Sequence, residues 1–410
     1  MSVAKSVFAS EPLVAATQPA QAAHYNVAIG YLRAFVTVLV VAHHAALAYF
    51  HYAPPPMPFT AEPRLWRAFP VVDAVRWPGF SFFVGLNDVF FMALMFFLSG
   101  LFVWNSLRRK GAVSFLRDRA IRLGLPFLAA AALVAPIAYY PAYLVATPSS
   151  GVTGYVRAWL SFPDWPAGPA WFIWLLLAFD CVAAGWYALS PKFGEWLAKL
   201  TSGASRRPTA FFMLLVAVSA TVYIPMSLAF TSMAWAALGP FTFQTSRLFH
   251  YFVYFIAGIG VGALGSERGL LAPDGKLARR WWLWLIRATL AFGVVGVIVA
   301  AAMASPARAT LWTFIGGFAF ALSCAASSFA CLALFVRFAK KPRKMLDSLR
   351  DNAYGIYLVH YAFVAWVQYS LLPASMPGLA KGVTAFLCAL ALSWGFVAAL
   401  RRLPAVARVI

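Results

Sequence analysis

Runs of about 20 apolar residues recur along this chain, and they decide its fold class before any other feature does. A helix of that length spans the hydrocarbon core of a bilayer. Ten windows read as membrane helices, at roughly 27–50, 81–104, 121–145, 169–190, 209–230, 247–265, 281–304, 311–337, 352–371 and 379–400. The expected fold is therefore all-α, a polytopic bundle of about ten transmembrane helices. Composition agrees. Of 410 residues, 63% are hydrophobic and 11% charged, whereas a soluble domain carries about 25% charged residues. Residues 26–400 form one membrane domain, between a disordered tail at 1–25 and a short basic tail at 401–410. The longest connection, about 51–80, holds "YAPPPMP" and aromatic clusters. It reads as an interfacial loop with a short surface helix.

The formal net charge is +21, and its placement matters more than its size. Cytoplasmic loops are enriched in Lys and Arg. Arg108, Arg109, Lys110, Arg117, Arg119 and Arg122 follow the second span. Lys192, Lys199, Arg206 and Arg207 follow the fourth. Arg268, Lys276, Arg279 and Arg280 follow the sixth. Arg337, Lys340, Lys341, Arg343, Lys344 and Arg350 follow the eighth, and Arg401, Arg402 and Arg408 the tenth. The alternate loops are poor in charge. Both termini are expected in the cytoplasm. The basic residues sit on membrane-proximal loops, so no nucleic-acid partner is expected. Cys181, Cys324, Cys331 and Cys388 lie in apolar stretches without metal or disulfide spacing. No metal site is expected.

Ionisable groups inside spans are costly and mark function or a partner. The candidates are Arg33, His43, His44, Asp88, Asp180, His250, Arg287 and His360. In "RAFVTVLVVAHH", Arg33 and His44 are eleven steps apart. At about 100° and 1.5 Å per residue they differ by only about 20° in direction and about 16 Å in height. His43 points about 80° off that line. Arg33 and His44 can thus line one polar channel. The competing explanation is a snorkelling arginine with histidines hydrogen-bonded in the bundle. Arg119 and Arg122 sit three apart at the start of the third span. They suit a phosphorylated ligand, because guanidinium binds phosphate bidentately; positive-inside charge explains them as well. In "DNAYGIYLVHYAFV" His360 is again a histidine at depth. Asp180 and Arg287 are explained by a structural ion pair or snorkelling.

Together these segments resemble the acyltransferase-3 family of integral membrane acyltransferases. "LRAFVTVLVVAHH" fits its arginine, ten residues, histidine motif at Arg33 and His44. "FFLSGLF" followed by "SLRRKGAVSFLRDRAIRLGLP" is similar to its second helix and basic loop, with the arginine, two residues, arginine motif at Arg119 and Arg122. "AYGIYLVHYAF" is similar to its late helix, with His360. "PAWFIWLLLAFD" and "RLFHYFVYFIAGIGVGALG" resemble the branch that succinylates periplasmic glucans. Gly30 stands where many members carry an aspartate. Pro169 and Ala170 stand where many of the glucan branch carry a histidine.

The resemblance implies acyl transfer from cytoplasmic acyl-CoA to a hydroxyl of an extracytoplasmic or membrane-bound glycan or glycolipid, at a bacterial inner membrane. Acyl-CoA is then a co-substrate, and no permanently bound cofactor is expected. His44 is the candidate general base, since a neutral imidazole can take a hydroxyl proton; a transient acyl carrier is the other role open to it. Arg33, Arg119 and Arg122 would hold CoA phosphates, with Arg108 and Arg109 adding attraction. Asp88 would orient His44 or cap its own helix. His360 is a second polar contact for acceptor or thioester. The alternative function is a transporter or flippase for a glycolipid or acyl metabolite, which also needs a polar channel. Membrane lipids are partners in either case; the oligomeric state is not legible.

Overall fold

The computed structural model describes residues 20–55, 57–147, 151–204, 206–265 and 269–410. Residues 1–19 of the expected tail, and Arg268, lie outside the described residues; the first helix begins at Ala20. The helices are α1 (Ala20–Leu47), α2 (Pro78–Gly100), α3 (Val103–Lys110), α4 (Ala112–Ala146), α5 (Val152–Leu160), α6 (Trp171–Leu189), α7 (Phe193–Ser202), α8 (Pro208–Phe230), α9 (Leu248–Ala263), α10 (Trp281–Ala304), α11 (Ala309–Phe338), α12 (Lys344–Leu371) and α13 (Gly378–Leu400). A hairpin of β1 (Trp235–Leu238) and β2 (Phe241–Gln244) joins α8 to α9.

Each of the ten apolar windows is helical, but among the described residues eight helices are long and apolar enough to cross a membrane. The protein is an integral membrane helix bundle. The other two windows fall short for different reasons. Helix α9 has only 16 residues. Helix α12 has 28, but it carries His360, Gln368 and Asn352, all buried inside the bundle.

Helices α2 and α11 form the interior. In each, 78% of the most apolar window is buried, against 6% for α10. Helix α10 accordingly shows Leu290, Val297 and Met303 outward, the surface a lipid-facing helix should have. Helix α1 packs against α2, α12 and α13. That placement puts its polar line against the polar α12.

Helix α4 is not a regular α-helix. It contains two π turns, Ala120–Gly124 and Ala130–Val134. A π turn shifts hydrogen bonding to i→i+5 and often marks a functional site. Each turn offers a carbonyl to a side-chain donor: Tyr354 Oη donates to Arg122 O at 2.6 Å and Trp165 Nε1 to Ala131 O at 2.6 Å.

The long loop after α1 is folded over the bundle. A single 3-10 turn, Leu65–Arg67, stands where a short surface helix was expected. Trp66 stacks on Phe59 with ring centroids 4.4 Å apart and donates to its carbonyl. Arg64 and Arg67 both pair with Asp164. Asp73 meets Lys381 of α13 at 2.7 Å with both side chains buried.

Candidate functional site

The centre of the site is a pair of histidines contributed by neighbouring helices. Helix α1 runs unbroken from Arg33 to His44, so the helical phase that separates His44 from His43 holds. His44 faces α12, where its Nδ1 lies 3.1 Å from His360 Nε2. His43 turns to the other side, against Phe91 of α2 with ring centroids 5.1 Å apart. His44 lies in the last turn of α1, whose carbonyls lack partners within the helix. Gln368 Nε2 donates to the His44 and Ala45 carbonyls at 2.9 and 3.1 Å. One α12 residue therefore closes the end of α1, and another, His360, two turns earlier, fixes its histidine.

The hydrogen bonds determine the tautomers, which coordinates alone do not reveal. His360 Nδ1 lies 2.7 Å from the Tyr357 carbonyl. A carbonyl only accepts, so that nitrogen carries the proton, and in a neutral ring Nε2 is then bare. His44 Nδ1 lies 2.9 Å from the Val40 carbonyl and 3.1 Å from that bare His360 nitrogen. Both neighbours accept, so His44 Nδ1 is the donor. The remaining nitrogen, His44 Nε2, keeps its lone pair. His360 is fully buried, whereas His44 is part-exposed. The nitrogen free to accept a proton thus belongs to the more accessible ring.

Aromatic side chains wall the pair. Tyr361 stands edge-on to His44 at 5.0 Å between ring centroids. Its hydroxyl donates to the Arg67 carbonyl at 3.1 Å, and Tyr139 donates to the same oxygen at 2.9 Å. The long loop after α1 is thereby tied to the wall beside His44. Tyr357 donates to the Pro169 carbonyl.

A basic group lies about 16 Å along α1 from His44. Arg33 is exposed and stands close enough to Arg119 for the two charges to repel. Tyr354 lies beside both. Arg119 is held by Asp180, whose carboxylate is fully buried, with Nε 3.1 Å from Oδ2. The Asp180 ion pair is the structural role expected of it, and its partner is a candidate ligand-binding arginine. Gly30 offers Arg33 no acid: a Cβ there would meet the Arg350 stem at 2.5 Å. Among the described residues Arg33 forms no ion pair.

Several expected site residues lie elsewhere. Arg122 is exposed and lies within the π turn that follows Arg119. Arg108 and Arg109 end α3 as exposed side chains. Arg287 lies over the Trp284 ring, 4.5 Å from its centroid. Asp88 does not orient His44. Its carboxylate takes Arg247 Nη1 and Nη2 at 2.9 and 2.5 Å. Arg247 is 4% exposed, and a buried guanidinium requires a counter-charge; α9 packs on α2 and delivers it to Asp88. His250, also in that group, places Nε2 3.4 Å from Cys324 Sγ.

The residues that sequence reasoning missed are Tyr361, Gln368 and Arg247. Arg247 carried a signal, as the sole basic residue of its connection, adjoining an apolar run. Tyr361 and Gln368 carried none beyond proximity to His360.

A family profile described as an acyltransferase domain matches residues 26–400, nearly the whole described chain. No curated protein and no solved structure matches it significantly.

Proposed function

Because the chain belongs to the acyltransferase-3 family and is a membrane acyltransferase, we propose that it moves an acyl group from cytoplasmic acyl-CoA to a hydroxyl of an extracytoplasmic or membrane-bound glycan or glycolipid. The observation that carries this reading is the bare Nε2 of His44, left by its Nδ1 contacts with Val40 and His360.

In this reading His44 Nε2 accepts the acceptor's hydroxyl proton as the oxygen attacks the thioester carbonyl. The tetrahedral intermediate collapses with cleavage of the carbon–sulfur bond. The departing CoA thiolate takes the proton back from His44 Nε2, so the enzyme ends unchanged. His360 does not touch the reactants. It is a positioning residue: its Nε2 accepts from His44 Nδ1, holding the ring and supporting its transient positive charge. General-base assistance of this kind contributes on the order of a hundredfold to ten-thousandfold.

Arg33 supplies the uncompensated positive charge for the CoA phosphates, with Arg119 beside it and Arg122 at the rim. The pantetheine arm then bridges the rise of about 16 Å to His44. Arg108 and Arg109 contribute long-range attraction only. The basic loops support cytoplasmic termini in a bacterial inner membrane. Segments 169–180 and 247–265 favour a periplasmic glucan acceptor and a succinyl donor as the finer assignment.

Mass spectrometry of envelope glycans and lipids from cells with and without the protein tests the proposal. An acyl mass present only with the protein identifies donor and acceptor together. Identical glycan and lipid profiles would overturn the assignment.

A further inference from the structure

A second basic site lies apart from the histidine pair. The N-terminus of α8 and the first two turns of α10 enclose a cleft of about 290 Å³. Five cations line it: Arg206, Arg207, Lys276, Arg280 and Arg287. Among the described residues no acid lines the cleft, and none of the five forms an ion pair. Five cations brought together without a counter-ion repel one another, and a bound anion removes that cost. The cleft also includes Pro208, Thr209 and Ala210, the first turn of a 23-residue helix. The positive end of that helix's dipole favours the same sign of ligand. The shape and charge fit a phosphate ester.

Such a phosphate has two sources, a lipid headgroup or a soluble phosphate. The walls favour the lipid. Helices α8 and α10 both begin at the cleft and run into the membrane, and their outward faces are apolar. Leu214 is 48% exposed and Leu285 44% exposed. Between them Trp284 is buried against Phe212, with ring centroids 5.4 Å apart. Arg287 lies about 10 Å along α10 from Arg280, with its guanidinium on the Trp284 face. Cations thus line the mouth and the first turns below it, and an acyl-chain surface continues from there. We propose that this cleft binds the phosphate headgroup of an anionic phospholipid whose chains lie along α8 and α10.

The test is native mass spectrometry of the detergent-purified full chain, and it does not depend on acyl transfer. The probes are phosphatidylglycerol, phosphatidylcholine of the same acyl chains, and inorganic phosphate. The wild type should retain phosphatidylglycerol in preference to phosphatidylcholine. Each cation removed should weaken that retention about fivefold, the equivalent of about 1 kcal/mol per charge near a membrane surface. R206Q and R280Q change exposed side chains and carry the test singly; R206Q/R280Q/R287Q should show the compounded loss. Unchanged retention in the two single variants would overturn the site. Displacement of the lipid by inorganic phosphate would overturn the lipid as occupant and leave a soluble-phosphate site.

Discussion

His44 and His360 are 316 residues apart in sequence yet share one hydrogen bond, and that contact leaves His44 Nε2 with its lone pair. If His360 acts only by orienting His44, His360→Phe should lower kcat on the order of a hundredfold through misplacement of the base. The KM for acyl-CoA should barely move. His360→Gln, whose amide oxygen can accept from His44 Nδ1, should recover part of the rate. Equal loss in both variants would assign His360 a different role. At the basic end, Arg33→Ala should raise the Kd for acyl-CoA without loss of thermal stability, because Arg33 is exposed and unpaired. Arg119→Ala should do both, since it leaves Asp180 buried without its counter-charge. A binding titration and a melting curve for each variant separate the two effects. That His44 and His43 face different neighbours was legible in the sequence, because it needs only helical phase. The partners were not. Asp88 stood at a suitable height to serve His44, but height says nothing about which neighbouring helix presents the stronger charge, and Arg247 does.

The ten apolar windows predicted ten helices, and helices stand at all ten. What periodicity did not reveal is how closely they approach. Helix α9 crosses α2 almost backbone to backbone: a Cβ at Gly258 would stand 2.1 Å from the Phe97 carbonyl oxygen, and one at Gly262 2.0 Å from that of Leu101. Small residues permit such crossings in membranes, and here the crossing carries Arg247 to Asp88. Gly258→Ala should therefore destabilise the fold by about 1–3 kcal/mol, as overpacking does. Gly185→Ala in α6, where a Cβ meets nothing within 4 Å, should be neutral or stabilising by about 0.5–1 kcal/mol. Thermal melts in detergent compare the two, and equal effects would contradict the close crossing. The π turns of α4 were equally illegible. Their carbonyls are satisfied by Tyr354 and Trp165, donors from distant segments, so no local pattern announces them.

At the scale of the whole molecule, polar contacts fasten the long loop after α1 over the bundle. That loop was legible as a loop from its prolines and aromatics, but its docking was not. The Asp73–Lys381 pair buries a lysine in the first turn of α13. Lys381→Met should strand Asp73 and cost about 3–5 kcal/mol, whereas replacing both residues with apolar ones should cost much less. A double-mutant melting series measures this, and additive losses would argue against a direct pair. Tyr139 and Tyr361 fasten the same loop at the Arg67 carbonyl, next to His44. In the proposed reading the histidine pair lies between this loop and the Arg33–Arg119 group, which would receive the donor. The central claim, that His44 is the general base, is tested most directly by measuring acyl transfer in membranes holding equal amounts of wild type, His44→Ala and His43→Ala. Transfer should vanish for His44→Ala and persist, at a reduced rate, for His43→Ala. Retained transfer in His44→Ala, or equal loss in both variants, would contradict the account.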